Sequence, residues 1–295
     1  MVRQLMKPWK RSALIGAILL LPGCQSTTER LAALDAKSPS PGAALVVPLT
    51  EEYDAEFVYL PTRRGVIQNF FVIRPARSAA NVILFAGGHG ALNLRESSGY
   101  LNIRWGSGNF LIRTRERFAD NGLTVAVVDA PSDMLDGGMS GGFRTTADHV
   151  KDIEGVIAWL KRRNGLPVWL VGTSRGTESA AYVGIHTRFP IGGVVLTSSI
   201  SVSTSKGSAV DSFALENIRV PVQIVYHEQD GCSVTPAYGN RAIKNGLTNS
   251  PKVVMKGFTG GSEPISGPCT AKSEHGFLGL EDEVVAAIAE FIKRN

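Results

Sequence analysis

The residues best suited to chemistry form a Gly-Thr-Ser-Arg-Gly segment at 172–176. An apolar run at 168–171 precedes it, and small residues with the pattern of a helix, 177–185, follow it. A strand that enters a Gly-x-Ser-x-Gly turn and continues as a helix holds its serine on a tight, strained turn, where bulky neighbours would collide with adjoining elements. The hydroxyl is then exposed above the sheet, at the positive end of the helix. We therefore predict that Ser174 is a nucleophile.

A second match to the pattern, Gly-Met-Ser-Gly-Gly at 138–142, requires a choice between two serines. A chance match is expected in a chain with 32 glycines. The stretch before this match, 132–137, is polar and has no strand pattern. We therefore interpret the region around Ser140 as a loop and prefer Ser174.

A base that accepts the serine proton must lie in a loop at the carboxyl edge of the sheet. The chain has five histidines, at positions 89, 149, 186, 227 and 275. Only His275 lies well after the penultimate predicted strand and just before the closing helix, and we assign it as the base. His149 and His186 fall in or near predicted helices, where a solvated or packing role is expected. His227 ends a strand and fits a buried histidine whose hydrogen bonds are satisfied.

The histidine needs an acid that fixes its tautomer and stabilises the imidazolium. The strand pattern at 220–226 is followed by His-Glu-Gln-Asp-Gly-Cys at 227–232. Asp230 lies four residues beyond the strand and before a turn into a helix, and we assign it as the acid. Glu228 is the alternative acid, although a glutamate in such a loop can also be simply a solvated residue without a catalytic role.

The order of an elbow serine, a later acid at a strand end and a final histidine resembles that of the α/β-hydrolase superfamily. The resemblance covers residues from about 55 to 295, and the chain is similar to bacterial members of lipoprotein type. It implies the fold, a triad of Ser174, Asp230 and His275, and the placement of the oxyanion hole.

The resemblance implies two backbone N–H donors for that oxyanion hole. One is expected from Arg175, the residue after the nucleophile. The other is expected from the Gly-Gly-His-Gly loop at 87–90, which resembles the His-Gly-rich loop of the family with its histidine late rather than first. The second donor is therefore either Gly88 or His89.

The N-terminus has the pattern of an export signal. A basic start precedes a short apolar run at 12–21, which is too short to span a bilayer well. The run ends in Leu-Pro-Gly-Cys at 21–24, which resembles the lipobox of bacterial lipoproteins. We expect residues 1–23 to be a signal peptide and Cys24 to carry the lipid, which would anchor the protein in the bacterial cell envelope. Secretory cleavage further along and an uncleaved anchor are the alternatives.

The net charge of +5 belongs to this export segment. Four of the 31 basic residues and none of the 26 acidic residues lie in 1–23, so the remaining chain is nearly neutral. The charge is therefore no argument for a nucleic-acid partner or an acidic substrate. No Lys-Ser/Thr follows the Gly-Gly-His-Gly stretch, which excludes a phosphate loop, and we expect no cofactor.

Two cysteines, Cys232 and Cys269, remain once Cys24 is set aside for the lipid. They are an even pair in an oxidising compartment, without Cys-x-x-Cys spacing or an adjacent histidine pair. We therefore expect a disulfide between them and no metal site.

Residues 24–54 are rich in Ser, Thr, Ala and Pro, which is typical of a tether, and a folded catalytic domain is expected over 55–295. Strand and helix patterns alternate in that domain. The predicted strands are 57–60, 66–74, 81–85, 124–129, 168–171, 193–198, 220–226 and 252–256. The predicted helices are 109–121, 146–163, 177–185, 236–244 and 281–294. This alternation predicts an α/β fold, with a mostly parallel sheet and helices on both faces, that binds ligands at the carboxyl ends of the strands.

A short segment, 199–219, occupies the place where a large lid domain is usually inserted. We therefore expect no large lid and an open site shaped by the loops 91–107 and 131–143. The candidate walls are Tyr100, Trp105, Met134 and Met139.

Three functions are compatible with these residues. The first is hydrolysis of small-molecule carboxylic esters, and the second is cleavage of amides or peptides by the same triad. The third is a catalytically idle hydrolase fold that serves as a binding protein of the envelope. The third is disfavoured because all members of the triad are present with suitable spacing, whereas the triad alone does not separate esters from amides.

Overall fold

The computed structural model describes residues 44–49 and 53–295. The predicted signal peptide, the predicted lipidation site at Cys24 and most of the predicted tether lie outside these residues. Within the described ranges, no helix is long and apolar enough to cross a bilayer.

A nine-stranded sheet with the order β1-β2-β3-β7-β4-β8-β9-β10-β11 forms the centre of the fold. The strands are β1 (Leu45–Pro48), β2 (Asp54–Arg63), β3 (Val66–Arg74), β4 (Ala80–Phe85), β5 (Leu94–Ser97), β6 (Tyr100–Ile103), β7 (Leu123–Val128), β8 (Val168–Thr173), β9 (Gly193–Thr197), β10 (Val222–His227) and β11 (Val253–Phe258). The pairs from β7 to β11 are parallel. The pairs among β1, β2, β3 and β7 are antiparallel. The predicted mostly parallel sheet is confirmed.

Strand β4 illustrates how the sheet is buried on both faces. Val82 and Leu84 belong to the core cluster of one face, and Ile83 and Phe85 to that of the other, because successive side chains of a strand point to opposite sides. Both faces are apolar, so the strand is a continuous apolar run in the sequence rather than an alternating one.

Helices cover both faces, as predicted. They are α1 (Phe110–Arg113), α2 (Arg115–Asp120), α3 (Ala147–Asn164), α4 (Gly176–His186), α5 (Asn240–Gly246) and α6 (Glu281–Lys293). Helices α1, α2 and α6 pack on one face of the sheet, and α3, α4 and α5 on the other. Thr146 caps the start of α3, since its Oγ1 accepts a hydrogen bond from the backbone N–H of His149.

The single helix predicted at 109–121 is wrong, because the chain forms two short helices that meet at Thr114. Thr114 is buried, and its hydroxyl donates a hydrogen bond of 2.7 Å to the carbonyl oxygen of Phe110. A threonine hydroxyl that bonds back to its own helix competes with the helical backbone, and it accompanies the break here.

The boundary predicted between tether and domain at 54/55 also differs from the structure. Strand β1 lies within the range assigned to the tether and pairs antiparallel with β2, so that Leu45 faces Tyr59. The hairpin of β5 and β6 was not predicted either. The segment 199–219 contains only short 3-10 turns and an isolated bridge in the described chain, so the expectation of no large lid is confirmed.

Candidate active site

Ser174 lies between the end of β8 and the start of α4, as the sequence predicts. Its φ of +52° is in the left-handed region, which a residue with a side chain occupies only at a cost. The conformation is held on both sides, because its N–H donates to the carbonyl oxygen of Thr197 (3.0 Å) and its carbonyl accepts from Thr177. The turn leaves Ser174 half-buried at the carboxyl edge of the sheet.

The two glycines of the turn are required by close backbone contacts. A Cβ atom at Gly172 would collide with the carbonyl oxygen of Gly176, and one at Gly176 would collide with that of Phe85 in β4. Both obstacles are backbone atoms of the sheet and helix, which cannot move aside as a side chain can. The Gly-x-Ser-x-Gly pattern at 172–176 is thus a packing requirement of this turn.

His275 and Asp230 lie at the same edge of the sheet and form a hydrogen bond. Nδ1 of His275 is 3.0 Å from Oδ2 of Asp230, and both side chains are almost completely buried. The carboxylate also accepts hydrogen bonds from the backbone N–H of Cys232 (2.9 Å) and from the hydroxyl of Thr235 (2.8 Å). This arrangement uses Nδ1 of the imidazole and leaves Nε2 as the nitrogen available for proton transfer.

The competing histidine and acid have other environments. His227 is fully buried, its Nε2 donates to the carbonyl oxygen of Gly260 (3.0 Å) and its Nδ1 accepts from the N–H of Gln229 (3.1 Å). Glu228 is exposed and makes no hydrogen bond to His275 in the described chain. Asp230 rather than Glu228 is therefore the carboxylate in contact with His275, and His227 is the buried histidine with satisfied hydrogen bonds that the sequence allowed.

The loop that carries His275 is fixed by contacts that the sequence did not predict. The hydroxyl of Ser198 donates to the carbonyl oxygen of His275 (2.8 Å). The guanidinium of Arg113, at the end of α1, donates to the carbonyl oxygen of Gly276 (2.6 Å) and pairs with Glu281 (2.8 Å). These bonds connect the loop to β9, α1 and α6, which restricts the position of the imidazole.

The predicted disulfide between Cys232 and Cys269 is present. Cys232 lies two residues after Asp230, and Cys269 lies in the segment that leads to His275. The bond therefore connects the loop of Asp230 with the loop of His275.

The loop at 87–90 packs directly against Ser174. A Cβ atom at Gly87 would lie 3.0 Å from Cβ of Ser174. In the described chain, no hydrogen bond uses the backbone N–H of Gly88, His89 or Arg175. All three predicted donors thus remain free to bind a ligand oxygen, and the choice between Gly88 and His89 stays open.

His89 contributes to this loop with its ring. The ring packs on Trp105 at a centroid distance of 3.8 Å, and its Nδ1 accepts a hydrogen bond from the N–H of Ala91 (3.1 Å). Burial and the nearby charge of Arg144 lower the pKa of His89 below its ordinary value. The neutral imidazole is therefore a structural part of the loop near neutral pH.

Two buried charged residues that the sequence did not single out hold the backbone around this loop. The guanidinium of Arg144 donates to the carbonyl oxygens of Ala86 (3.0 Å) and Gly88 (3.3 Å). The carboxylate of Asp129 accepts hydrogen bonds from the N–H groups of residues 92–94 and 130. Burial raises the pKa of Asp129 to about 6, although these four bonds oppose the shift. No local sequence signal marks either residue, because all of their partners except residue 130 are distant in the chain.

Ser174 lies between two cavities. One has a volume of about 310 Å³ and is lined by Trp105, Phe110 and the ring of His275. Ser174 and His275 share this cavity, and no hydrogen bond joins them in the described chain. Such contacts are often long in unliganded enzymes and shorten when substrate binds. The other cavity, of about 610 Å³, has a polar wall that includes Ser140 and Lys206.

Of the predicted cavity walls, Trp105 is confirmed, since it lines both cavities. Tyr100 is 58 % exposed on β6 and does not line either cavity. Met134 and Met139 pack against Ala91 and Ala130 in a small cluster of their own. The expectation for these three residues is wrong, because the methionines fill space beneath the loops and Tyr100 points to solvent away from the cavities.

No family model matches the chain, and no curated protein matches it. Several solved structures match the chain. A cold-adapted esterase from an Arctic intertidal metagenomic library is similar over 83 % of this chain and 95 % of its own, with a TM-score of 0.56 and 14 % identity. Est1E from Butyrivibrio proteoclasticus, solved with ferulic acid bound, matches over 80 % and 98 %, with a TM-score of 0.53 and 13 % identity. The chain has the α/β-hydrolase fold.

A third α/β hydrolase adds a point about the access to the site. A serine hydrolase from Xanthomonas campestris that is described as having no lid covers 87 % of this chain and 95 % of its own, with a TM-score of 0.51 and 12 % identity. Identities this low show the α/β-hydrolase fold alone. In that fold, ligands bind beyond the carboxyl ends of the strands, which is where Ser174, Asp230 and His275 lie.

Proposed function

We propose that the protein is a serine hydrolase that cleaves carboxylic esters through an acyl-enzyme on Ser174. The observation that carries the proposal is the hydrogen bond of 3.0 Å between His275 and Asp230, with His275 and Ser174 in one cavity. A strained, half-buried serine, a buried imidazole with a free Nε2 and a carboxylate fixed by two further donors are the parts that acyl transfer needs.

In this mechanism Nε2 of His275 takes the hydroxyl proton of Ser174 as Oγ attacks the ester carbonyl. Asp230 stabilises the resulting imidazolium through Nδ1. The imidazolium then gives its proton to the departing alcohol, and Ser174 keeps the acyl group. A water molecule that loses a proton to the same nitrogen hydrolyses the acyl-enzyme and regenerates the hydroxyl.

Negative charge develops on the carbonyl oxygen in both halves of this cycle. The N–H of Arg175 and that of Gly88 or His89 are the donors we assign to that oxygen. In a well-studied serine protease, removal of one preorganised oxyanion-hole donor costs about 3–4 kcal/mol of transition-state stabilisation.

The preference for esters over amides is part of the proposal. One of the similar structures is named as an esterase and another was solved with ferulic acid, a carboxylic acid, bound, and no feature of the described site favours an amide. The alternative of an idle binding protein is disfavoured by the intact hydrogen-bond chain from Asp230 to His275.

The test is a panel of short-chain 4-nitrophenyl esters and peptide anilides, combined with labelling by a fluorophosphonate. Ser174→Ala should abolish labelling and lower ester turnover by about 10³-fold or more. Ser140→Ala is the matched control, because Ser140 lies in the second Gly-x-Ser-x-Gly match. Labelling that survives in Ser174→Ala but is lost in Ser140→Ala would contradict the assignment.

We also propose that Cys24 is lipidated and anchors the enzyme in the bacterial envelope. The support is the basic start, the short apolar run and the Leu-Pro-Gly-Cys ending at 21–24. Labelled palmitate should enter the wild type and not Cys24→Ser. Absence of label from both would favour simple secretion instead.

A further inference from the structure

Arg144 is a fully buried arginine that contacts two separate parts of the site. It precedes α3 in a 3-10 turn and is 1 % exposed. Nη2 donates to the carbonyl oxygens of Ala86 and Gly88, and Nη1 donates to the hydroxyl of Ser179 (2.7 Å). Ser179 lies on α4, one helical turn beyond Arg175. The same guanidinium therefore bonds to the loop after β4 and to the helix after the nucleophile.

These two segments supply the two halves of the assigned oxyanion hole. The carbonyls of Ala86 and Gly88 bracket the peptide that carries the N–H of Gly88, so Arg144 fixes the peptides on both sides of it. We propose that Arg144 is a positioning residue that sets the distance between the donors of the 87–90 loop and of Arg175. The inference rests on the proposed function and adds a residue to it.

The packing around Arg144 supports this role. A Cβ atom at Gly90, whose φ is +75°, would collide with the guanidinium. Burial lowers the pKa of Arg144 to about 10, and the carboxylate of Glu178 opposes the shift, so the side chain is cationic at neutral pH. A buried cation that gives its N–H groups to backbone carbonyls stabilises one loop geometry strongly, since in a low-dielectric site it has no alternative partners of equal strength.

Arg144→Lys tests the inference, because lysine keeps the charge but cannot reach both segments with a planar fork. We expect kcat for 4-nitrophenyl butyrate to fall about 10-fold or more, while KM changes less than about 2-fold. The affinity for a trifluoromethyl ketone, whose adduct places an oxyanion in the hole, should fall by the same factor as kcat. Arg63→Lys is the control, since Arg63 makes a comparable fork to Asp152 away from the site.

The results separate a positioning role from a purely structural one. If Arg144→Lys retains wild-type kcat, or if Arg63→Lys loses as much kcat at an equal melting temperature, the inference is wrong. Ser179→Ala decides the matter if Arg144→Lys does not fold, because it removes only the Nη1 partner; an unchanged kcat there overturns the inference. A wild type without turnover or labelling overturns the proposed function itself.

The polar cavity beside Ser174 carries a second, independent inference. Its wall includes a tight turn at 204–207, in which Thr204 and Gly207 exchange backbone hydrogen bonds of 2.9 and 3.1 Å. Nη2 of Arg175 donates to the hydroxyl of Thr204 (2.8 Å), and Arg175 pairs with Glu178 (3.0 Å). A hydrogen bond thus connects the turn to the Arg175–Glu178 ion pair, which is adjacent to Ser174. Lys206 lies near the tip of the turn.

The charges of this wall are unbalanced. Arg175 and Lys206 line the cavity, and no carboxylate does. Arg175 is neutralised by Glu178, whereas the ammonium of Lys206 pairs with no carboxylate in the described chain. Hydroxyl groups of Ser140 and Ser205 line the same wall. Resting on the proposed function, we infer that this cavity binds a carboxylate of the substrate, so that the preferred substrates are esters with an acidic group on one side of the scissile bond.

Paired substrates test this assignment. Mono-4-nitrophenyl glutarate is compared with 4-nitrophenyl butyrate for the acyl side, and 4-carboxyphenyl butyrate with phenyl butyrate for the alcohol side. The readout is kcat/KM for the acidic ester divided by kcat/KM for its neutral partner. In one of the two pairs, Lys206→Gln should lower this ratio about 5- to 10-fold, and 0.5 M salt should reduce the difference between the variant and the wild type. Lys272→Gln, an exposed lysine that does not line the cavity, is the control.

Ratios that do not change for either pair, or that change equally in Lys272→Gln, overturn the assignment of the carboxylate site. Turnover of the neutral esters by the wild type is measured in the same experiment. Its absence would instead contradict the proposed hydrolase function.

Discussion

The backbone N–H of Cys232 donates a hydrogen bond of 2.9 Å to Oδ1 of Asp230. The sulfur of the same residue is bonded to Cys269, in the segment that leads to His275. One residue thus orients the acid through its backbone and restrains the loop of the base through its side chain. The disulfide in this sense restrains the geometry of the proposed triad.

Reduction of this bond should lower both stability and turnover. The closed loop spans 37 residues, for which the chain-entropy model gives about 4 kcal/mol as an upper figure. Cys269→Ser, or the wild type in reductant, is expected to melt at a lower temperature and to lose kcat, because catalysis tolerates displacements of only about 1 Å. Calorimetry and ester assays measure the two effects. Two free thiols in the non-reduced, denatured wild type would contradict this prediction.

His275→Ala should lower ester turnover by about 10³-fold or more and leave the fold intact, since the proposed mechanism assigns its imidazole the proton transfer in both half-reactions. His227→Ala is the matched control. It should lower the melting temperature, because it removes hydrogen bonds to Gly260 and Gln229, and keep kcat well above that of His275→Ala. An inactive His227→Ala together with an active His275→Ala would reverse the assignment.

Gly176→Ala should destabilise the protein and lower its turnover. The added methyl group meets the backbone of Phe85, the last residue of β4, and of Ala86 after it, and overpacking of this kind costs about 1–3 kcal/mol. Relief of the collision moves the elbow, and with it Ser174. Gly137→Ala is the control, because nothing lies within 4 Å of its Cβ position. Equal melting temperatures and equal kcat values for the two variants would show that the contact is not restrictive.

His149 makes stability depend on pH. Burial lowers its pKa to about 3, and the charges of Arg144 and Arg63 act in the same direction. Between about 3 and 6.5 the unfolded chain binds a proton that the folded chain does not, so stability is fully present above pH 6.5 and is lost as the pH falls. The rings of Phe85 and Phe143 flank position 149, and His149→Phe should lose less stability than the wild type as the pH falls.

Melting temperatures between pH 7 and 4 measure this effect. Because neither ring nitrogen of His149 has a hydrogen-bond partner in the described chain, His149→Phe should also be more stable than the wild type at pH 7. His186→Gln replaces an exposed histidine and should retain the wild-type pH dependence. Parallel curves for the wild type and His149→Phe would refute the prediction.

The sequence predicts those parts of the site that depend on local signals. The elbow around Ser174 is recognisable because strand, turn and helix are consecutive, and His275 because it precedes the closing helix. Asp230 could be preferred to Glu228 only by its position relative to the strand. Arg144 could not be found in this way, since its partners Ser179 and Ala86 lie 35 and 58 positions away along the chain.

The same distinction applies to the fold. The buried parallel strands are continuous apolar runs and were found with small errors at their ends. Strand β1 has four residues and ends in proline, within a segment whose composition is that of a linker. Its pairing with β2 is a long-range contact, and no hydrophobic periodicity in the sequence predicts it.

The pairing of β1 has a practical consequence for preparing the protein. Without residues 45–48, the backbone of β2 opposite them, from Glu56 to Tyr59, would present unpaired N–H and C=O groups along the rim of the sheet. Such a rim is a template for strands of other molecules. A recombinant chain begun at 55, where the composition places the boundary, would therefore self-associate more readily than one begun at 44.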